Sequence, residues 1–287
     1  MFWPQRSDGH AFAGHSALLM LVWASLALLS SAQEPSTAEG GRSVDGARGG
    51  GEATAQAPVI PEVREVGDVA PDRRRREYMG RTIAPTMHFS GAGWLTRPTR
   101  EEEEDPQRML NSLKIKPGQT ICDFGCGNGY HALQMAKRVG PQGTVYAVDI
   151  QPEMLDLLRE RAGSRGLGNV KPVLATDDET GLPPATFDYV LMVDVYHELA
   201  DPAGVLQAVR ESLKPEGKLI LVEFREEDET VPILPLHKMS QIQAVKEVTA
   251  NGLKLVGQFD RLPWQHVLQF ARDDSPLKKM ALQPWQP

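Results

Sequence analysis

Cysteine is almost missing from this chain: of its 287 residues only Cys122 and Cys126 carry a thiol. Two thiols build no disulfide framework. No His/Cys/Asp/Glu grouping shows the spacing of a metal site, so no metal is expected. An excess of positive charge is missing too. The formal net charge is −7, and a nucleic-acid partner gains nothing from such a field. A basic run at 73–76 and an acidic run at 101–105 read as solvated patches at a domain's edge. The third absence is a long apolar run: residues 17–29 fall short of the roughly 20 that a helical membrane span needs.

Residues 1–32 instead have the form of an export signal peptide. Arg6 supplies positive charge, 17–29 the apolar stretch, and Ser30-Ser31-Ala32 a small-residue cleavage site. No membrane span is expected once that leader is cleaved, and the chain would then be periplasmic or secreted. Residues 33–72 are rich in Gly, Ala, Glu, Pro and Ser and have no apolar periodicity. They cannot bury enough surface to offset ordering entropy and read as a disordered linker. Residues 73–117 form a preamble with a short helix expected over 77–82. Asp105-Pro106 begins a second helix running to about Leu113, with an N-cap acid followed by proline at the first position.

From residue 118 the pattern alternates. Strands are predicted at 120–124, 144–148, 170–174, 187–193, 217–224, 253–259 and 266–271, and helices at 130–139, 152–163, 202–213 and 238–251. The early strands are near-continuous apolar runs, as when helices cover both faces of a parallel sheet. The last two strands have only a short turn between them and must pair as a hairpin. The expected fold is α/β, a doubly wound, seven-stranded, mostly parallel sheet with an antiparallel strand at its C-terminal end.

The first strand–turn–helix of that alternation reads Cys122-Asp123-Phe124-Gly125-Cys126-Gly127-Asn128-Gly129. Closely spaced glycines let backbone lie against a ligand, and the helix that follows presents free amides and its positive dipole end. Asp149, at the end of the second strand, stands where a carboxylate meets a ribose. A dinucleotide loop wants a third glycine at position 130, which is Tyr130. Asp123, ahead of the glycines, suits a ligand bearing an ammonium group rather than a pyrophosphate.

On these residues the stretch from 108 to 272 resembles the class I S-adenosylmethionine-dependent methyltransferases, whose first motif is an acid followed by G-x-G-x-G. The resemblance implies S-adenosyl-L-methionine as cofactor. Gly125, Cys126, Gly127 and Gly129 would line its methionine and ribose, with Asp123 near the amino group. Asp149 would meet the ribose hydroxyls, Ile150 the adenine face, Asp177 the adenine amino group, and Asp194 the switch point opposite the loop. At the exit of the fourth strand His197 is the candidate base, oriented by Glu198 or Asp194, with Tyr196 either packing on the substrate or filling space. A helix-capping or loop-bonding role for His197 is equally open.

Glu223, Arg225, His237 and Lys238 reach the same rim and read as surface charge. Phe89 and Trp94 read either as an apolar plug or as the lid that such enzymes often place before the first strand. Likeness to small-molecule and quinone-type methyltransferases after strand four implies a small-molecule acceptor. An exported non-catalytic binding module is the alternative, and a nicotinamide enzyme a third reading that the glycine spacing opposes. Export sits awkwardly with a donor made inside cells. A true start downstream of the leader, leaving the protein cytoplasmic, is the other possibility.

Overall fold

A computed structural model describes residues 76–176 and 179–286. The leader, the linker and Asp177 lie outside the described residues.

Seven strands form one sheet: β3 (Thr120–Phe124), β4 (Thr144–Asp149), β5 (Val170–Leu174), β6 (Phe187–Val193), β7 (Leu213–Phe224), β8 (Leu253–Phe259) and β9 (Gln265–Arg272). Their order across the sheet is β5-β4-β3-β6-β7-β9-β8. From β5 to β7 the pairing is parallel; β9 runs antiparallel to both β7 and β8. The chain winds outward from β3 to β5, then returns to start β6 on the other side of β3. The crevice between the carboxyl ends of β3 and β6 is therefore the switch point, where open α/β sheets bind ligands.

Helices α3 (Tyr130–Val139) and α4 (Pro152–Gly163) cover one face, α5 (Pro202–Ser212) and α6 (Gln241–Ala250) the other. Alternate strand residues divide between them, which explains the unbroken apolar runs. Ile121, Val145 and Ala147 join a core with Met135, Ala136 and Leu158. Cys122, Phe124 and Val148 join another with Leu206, Val209 and Val248. Each fully buried aliphatic side chain contributes roughly 1.5–3 kcal/mol. Pro152 and Pro202 open their helices at the first turn, and Asp201 caps α5 by accepting from the Gly204 amide at 3.1 Å.

Three expectations fail. Residues 77–82 are not helical: β1 (Glu77–Tyr78) and β2 (Arg81–Thr82) form a hairpin, turned by Met79 and Gly80 at positive φ of 47° and 96°. The strand expected from residue 217 starts earlier: α5 closes at Ser212, and β7 begins at Leu213 and bulges there against β6. The acidic run is solvated only in part, with Glu101 and Glu102 exposed and Glu104 buried. It forms a short helix, α1 (Arg100–Glu104), in which Arg100 and Glu104 are buried and paired at 2.7 Å. The next helix, α2 (Pro106–Ser112), starts as expected, with the Asp105 carboxylate accepting from the Arg108 amide at 3.1 Å. Among the described residues no helix is long and apolar enough to cross a membrane.

Candidate active site

The loop after β3 turns through Gly125, Gly127 and Gly129 at φ of +72°, +51° and +82°. Glycine adopts these left-handed angles without the steric cost that a Cβ imposes. Space demands it as well. A Cβ at 125 would lie 2.5 Å from Val195 Cγ2, and one at 127 would lie 2.5 Å from Leu95 Cδ1. The Gly125 and Cys126 amides both donate to the Val148 carbonyl at 2.9 Å, tying the loop to β4. Cys122 and Cys126 are buried free thiols, and burial raises the pKa of both, so Cys126 contributes backbone to the loop and not a reactive sulfur.

Two carboxylates flank this turn. Asp149 is 7% exposed, and its oxygens accept from the Gly127 amide at 2.8 Å and the Gln151 amide at 2.9 Å. Burial raises its pKa, against the lowering by these amides. Each oxygen retains a further lone pair for a hydroxyl. Ile150 beside it is 46% exposed, an apolar surface left bare at the strand end. Asp123 is buried at the start of the turn, and among the described residues its Oδ2 finds no partner. Burial pushes its pKa up to about 7, although the Ala132 amide and Arg100 act the other way. A buried, unpartnered carboxylate oxygen next to a glycine turn is a place made for a cation or a donor. The residues present therefore fit an adenosyl ligand with a free ammonium.

Residues 87–95 lie over the glycine turn. The Gln151 side chain grips this segment twice, donating to the Met87 carbonyl at 2.9 Å and accepting from the Phe89 amide at 2.7 Å. Asn128 Nδ2 donates to the Ala92 carbonyl at 3.0 Å, and Arg100 to the Leu95 carbonyl at 2.7 Å. Leu95, not Trp94 or Phe89, rests on the loop. Trp94 is 40% exposed, with the Arg97 guanidinium 3.7 Å above its ring. The segment thus has the position of a lid. Gln151→Ala is expected to release it: protection of the Phe89 amide against hydrogen exchange should fall at least tenfold while that of β3 is unchanged.

At the exit of β6, Val195 packs on Gly125, so this corner touches the glycine loop. Here the sequence-based roles need revision. Tyr196 is fully buried and donates its hydroxyl to Glu247 Oε2 at 2.8 Å, which removes it from any substrate. Asp194 does not orient His197. One of its oxygens accepts from Gln265 at 2.7 Å, the other is buried without a partner, and burial with Glu104 and Glu223 nearby raises its pKa far above the usual carboxylate range. The orienting group is Glu223, which had read as surface charge and is wholly buried. It accepts from His197 Nδ1 at 2.6 Å and from the Tyr196 amide at 2.9 Å. Burial disfavours a proton on His197, but the Glu223 carboxylate outweighs it and the pKa rises.

Glu223→Ala would strand both donors and is expected to cost about 3 kcal/mol, read as a lower urea midpoint. Arg225, also taken for surface charge, is buried and donates to the carbonyls of Pro263, Leu262 and Gln265. His131 accepts from Arg100 at 3.2 Å, and burial holds it neutral. His266 is sealed within β9 with its pKa pushed down to about 3 by burial and Arg225. Beside the corner opens a cavity of about 650 Å³ whose wall includes Arg81, Ile83, His197, Leu236 and Lys238.

Gln151, Asn128, Arg81 and Glu247 went unnoticed in the sequence. Only Gln151 carried a signal there, as the polar residue two positions after the strand-end acid and directly before a helix-opening proline.

Residues 115–272 match the methyltransferase domain family. The chain is 32% identical to the demethylmenaquinone methyltransferase of Geobacillus kaustophilus over 120 residues, 42% of this chain and 50% of that protein. It is 33% identical to the protein-L-isoaspartate O-methyltransferase of Ignicoccus hospitalis over 114 residues, 39% of this chain and 51% of that one. It therefore spans about half the length of the relatives it matches. The crystal structure of a SAM-dependent methyltransferase from Aquifex aeolicus superposes with a TM-score of 0.61 at 26% identity, covering 64% of this chain and 98% of that one. With the acid–glycine turn, the strand-end Asp149 and the antiparallel β9 in place, the chain belongs to the class I S-adenosylmethionine-dependent methyltransferases.

Proposed function

We propose that this chain transfers a methyl group from S-adenosyl-L-methionine to a small-molecule acceptor held in the cavity beside His197. The observation that carries the reading is the pair of buried carboxylates on either side of the glycine turn, one of them with an oxygen left unpartnered. The donor supplies a carbon already activated by its sulfonium, so the chain's task is to hold two molecules in line. Asp149 would take the ribose hydroxyls, Asp123 the amino group, Ile150 the adenine, and the loop amides the rest. Asp177 keeps its proposed place near the adenine amino group.

The acceptor side supports a small molecule. The cavity combines apolar walls at Ile83 and Leu236 with the cation of Lys238. Relatives include proteins named for demethylmenaquinone, aklanonic acid and isoaspartyl protein substrates, two of these being small molecules. His197, with Glu198 and His237 beside it, would meet a proton leaving the acceptor. The test is mass spectrometry of a cell extract incubated with the full chain and methyl-labelled donor. A labelled product of low mass supports the reading; label found only on protein overturns the small-molecule acceptor.

Residues 1–32 remain proposed as a cleaved leader. The mature protein is then expected to begin near Gln33, and a mature chain still beginning at Met1 would contradict cleavage.

A further inference from the structure

Two neighbouring side chains and a third 40 residues further along the sequence meet at the cavity wall. His197 and Glu198 come from the turn Tyr196–Glu198 after β6, and His237 from the turn Pro235–His237 after β7. His197 Nε2 lies 3.1 Å from His237 Nδ1 and 3.7 Å from Glu198 Oε1, and His237 Nδ1 lies 3.5 Å from the same oxygen. A tetrahedral cation with bonds of about 2.0–2.1 Å spaces its ligands about 3.3 Å apart, so these edges match a divalent metal's first shell with little movement.

The surroundings fit the same purpose. His197 Nδ1 donates to Glu223 at 2.6 Å, which fixes the tautomer with the Nε2 lone pair facing the other two groups. This carboxylate–histidine arrangement is the usual support behind a metal-bound imidazole. The other oxygen of Glu198 accepts from the Met87 amide at 3.3 Å, leaving Oε1 for the cluster. Glu198 and Glu223 bring two carboxylates to this corner for a cation to meet. Arg81 lies close but is paired to Glu247 at 2.8 Å and donates to the His197 carbonyl, so it does not supply that cation.

We propose that His197, Glu198 and His237 bind a divalent transition-metal ion of the zinc class, with its open position toward the cavity. Two imidazoles and one carboxylate suit Zn²⁺, Co²⁺ or Fe²⁺ and not the oxygen-seeking Mg²⁺ or Ca²⁺. The openness follows from placement: His197 is part of the cavity wall, and His237 lies between the wall residues Leu236 and Lys238. Resting on the methyl-transfer reading, the ion would replace His197 as the group that activates the acceptor. It would bind and polarise an oxygen whose proton, where there is one, leaves to solvent through the cavity, which narrows the acceptor class to molecules with a hydroxyl or carboxylate oxygen.

The test uses the full chain freed of metal by a chelator, then titrated with Zn²⁺ against a chromophoric competitor. One equivalent is expected to bind at submicromolar concentration, with Mg²⁺ not competing at a thousandfold excess. His237→Ala should weaken binding at least 100-fold; its side chain is 29% exposed on a turn, so the fold tolerates the change. Glu198→Gln, which keeps the size, should weaken it at least tenfold, and Glu223→Gln about 10–100-fold through the His197 ring. The same three variants should lose the visible absorbance of bound Co²⁺ in parallel. Failure of the parent chain to take up Zn²⁺ at low micromolar concentration, or equal uptake by His237→Ala and Glu198→Gln, would overturn the site. Thermal stabilisation by S-adenosylhomocysteine, measured on the metal-free chain, tests the donor crevice separately, so the two readings fail independently.

Discussion

Asp149→Ala is expected to weaken binding of S-adenosylhomocysteine by about 100–1000-fold, the largest single-residue effect on the donor site. Each charge-assisted hydrogen bond from a ribose hydroxyl is worth about 1.5–3 kcal/mol, and two of them at the lower end of that range convert to a loss of that size. The same substitution strands the Gly127 and Gln151 amides that Asp149 now holds. Some affinity would therefore be lost through a loosened loop rather than a missing ligand contact. Asp149→Asn separates the causes. Its carbonyl oxygen still accepts from one amide, whereas the uncharged amide grips a diol poorly. Calorimetric titration of both variants should show weak binding in each, with thermal stability lowered mainly in the alanine form. Binding by Asp149→Asn as tight as the parent's would remove the ribose role.

The second large effect is on pH dependence, through Asp123. Its carboxyl is held neutral up to about pH 7 by burial, with an ordinary value near 3.8 when unfolded. Between those values the native state binds a proton that the unfolded chain has released, so stability falls as pH rises and levels off above 7. Asp123→Asn stays neutral throughout. Its advantage over the parent should open from pH 4 to pH 7 and reach up to about 4 kcal/mol at pH 8, read by urea denaturation without ligand. Donor binding runs the other way, because an ammonium group requires the ionised carboxylate. Parental affinity for S-adenosylhomocysteine should strengthen as pH rises from 6 to 8, and that of Asp123→Asn should be weak and flat. A parental stability profile that does not fall across this range would mean that Asp123 is ionised from the start.

Both carboxylates were legible before any coordinates, because their signal is local: an apolar strand, an acid, then glycines whose spacing fits one class of turn. The strands and long helices were legible for a related reason. When helices cover both faces, the apolar runs of β3, β4 and β6 are near-continuous and their ends are marked by Asp or Gly. What could not be read depends on contacts between distant segments. Glu223 stands beside Arg225 in an exposed-looking string, yet both are buried, one beneath His197 and the other beneath the β8–β9 turn. Arg100 and Glu104 sit in a dense charge run, and their burial follows from Leu95 and His131 lying against them. The hairpin at Met79-Gly80 lacks the Asn-Gly pair that announces such turns. His237 is 40 residues beyond His197, and only the return of the chain after β7 brings the rings together.

The most direct measurement for the whole account is thermal unfolding of the intact chain with and without S-adenosylhomocysteine. At about one hundred times a micromolar Kd, a ligand that binds only the folded state adds about 2.7 kcal/mol, or roughly 5–10 °C in Tm for a domain of this size. The account expects a shift of that order, saturating with concentration and absent in Asp149→Ala. An unchanged Tm at millimolar ligand would contradict it, since the crevice between β3 and β6 would then hold no adenosyl group.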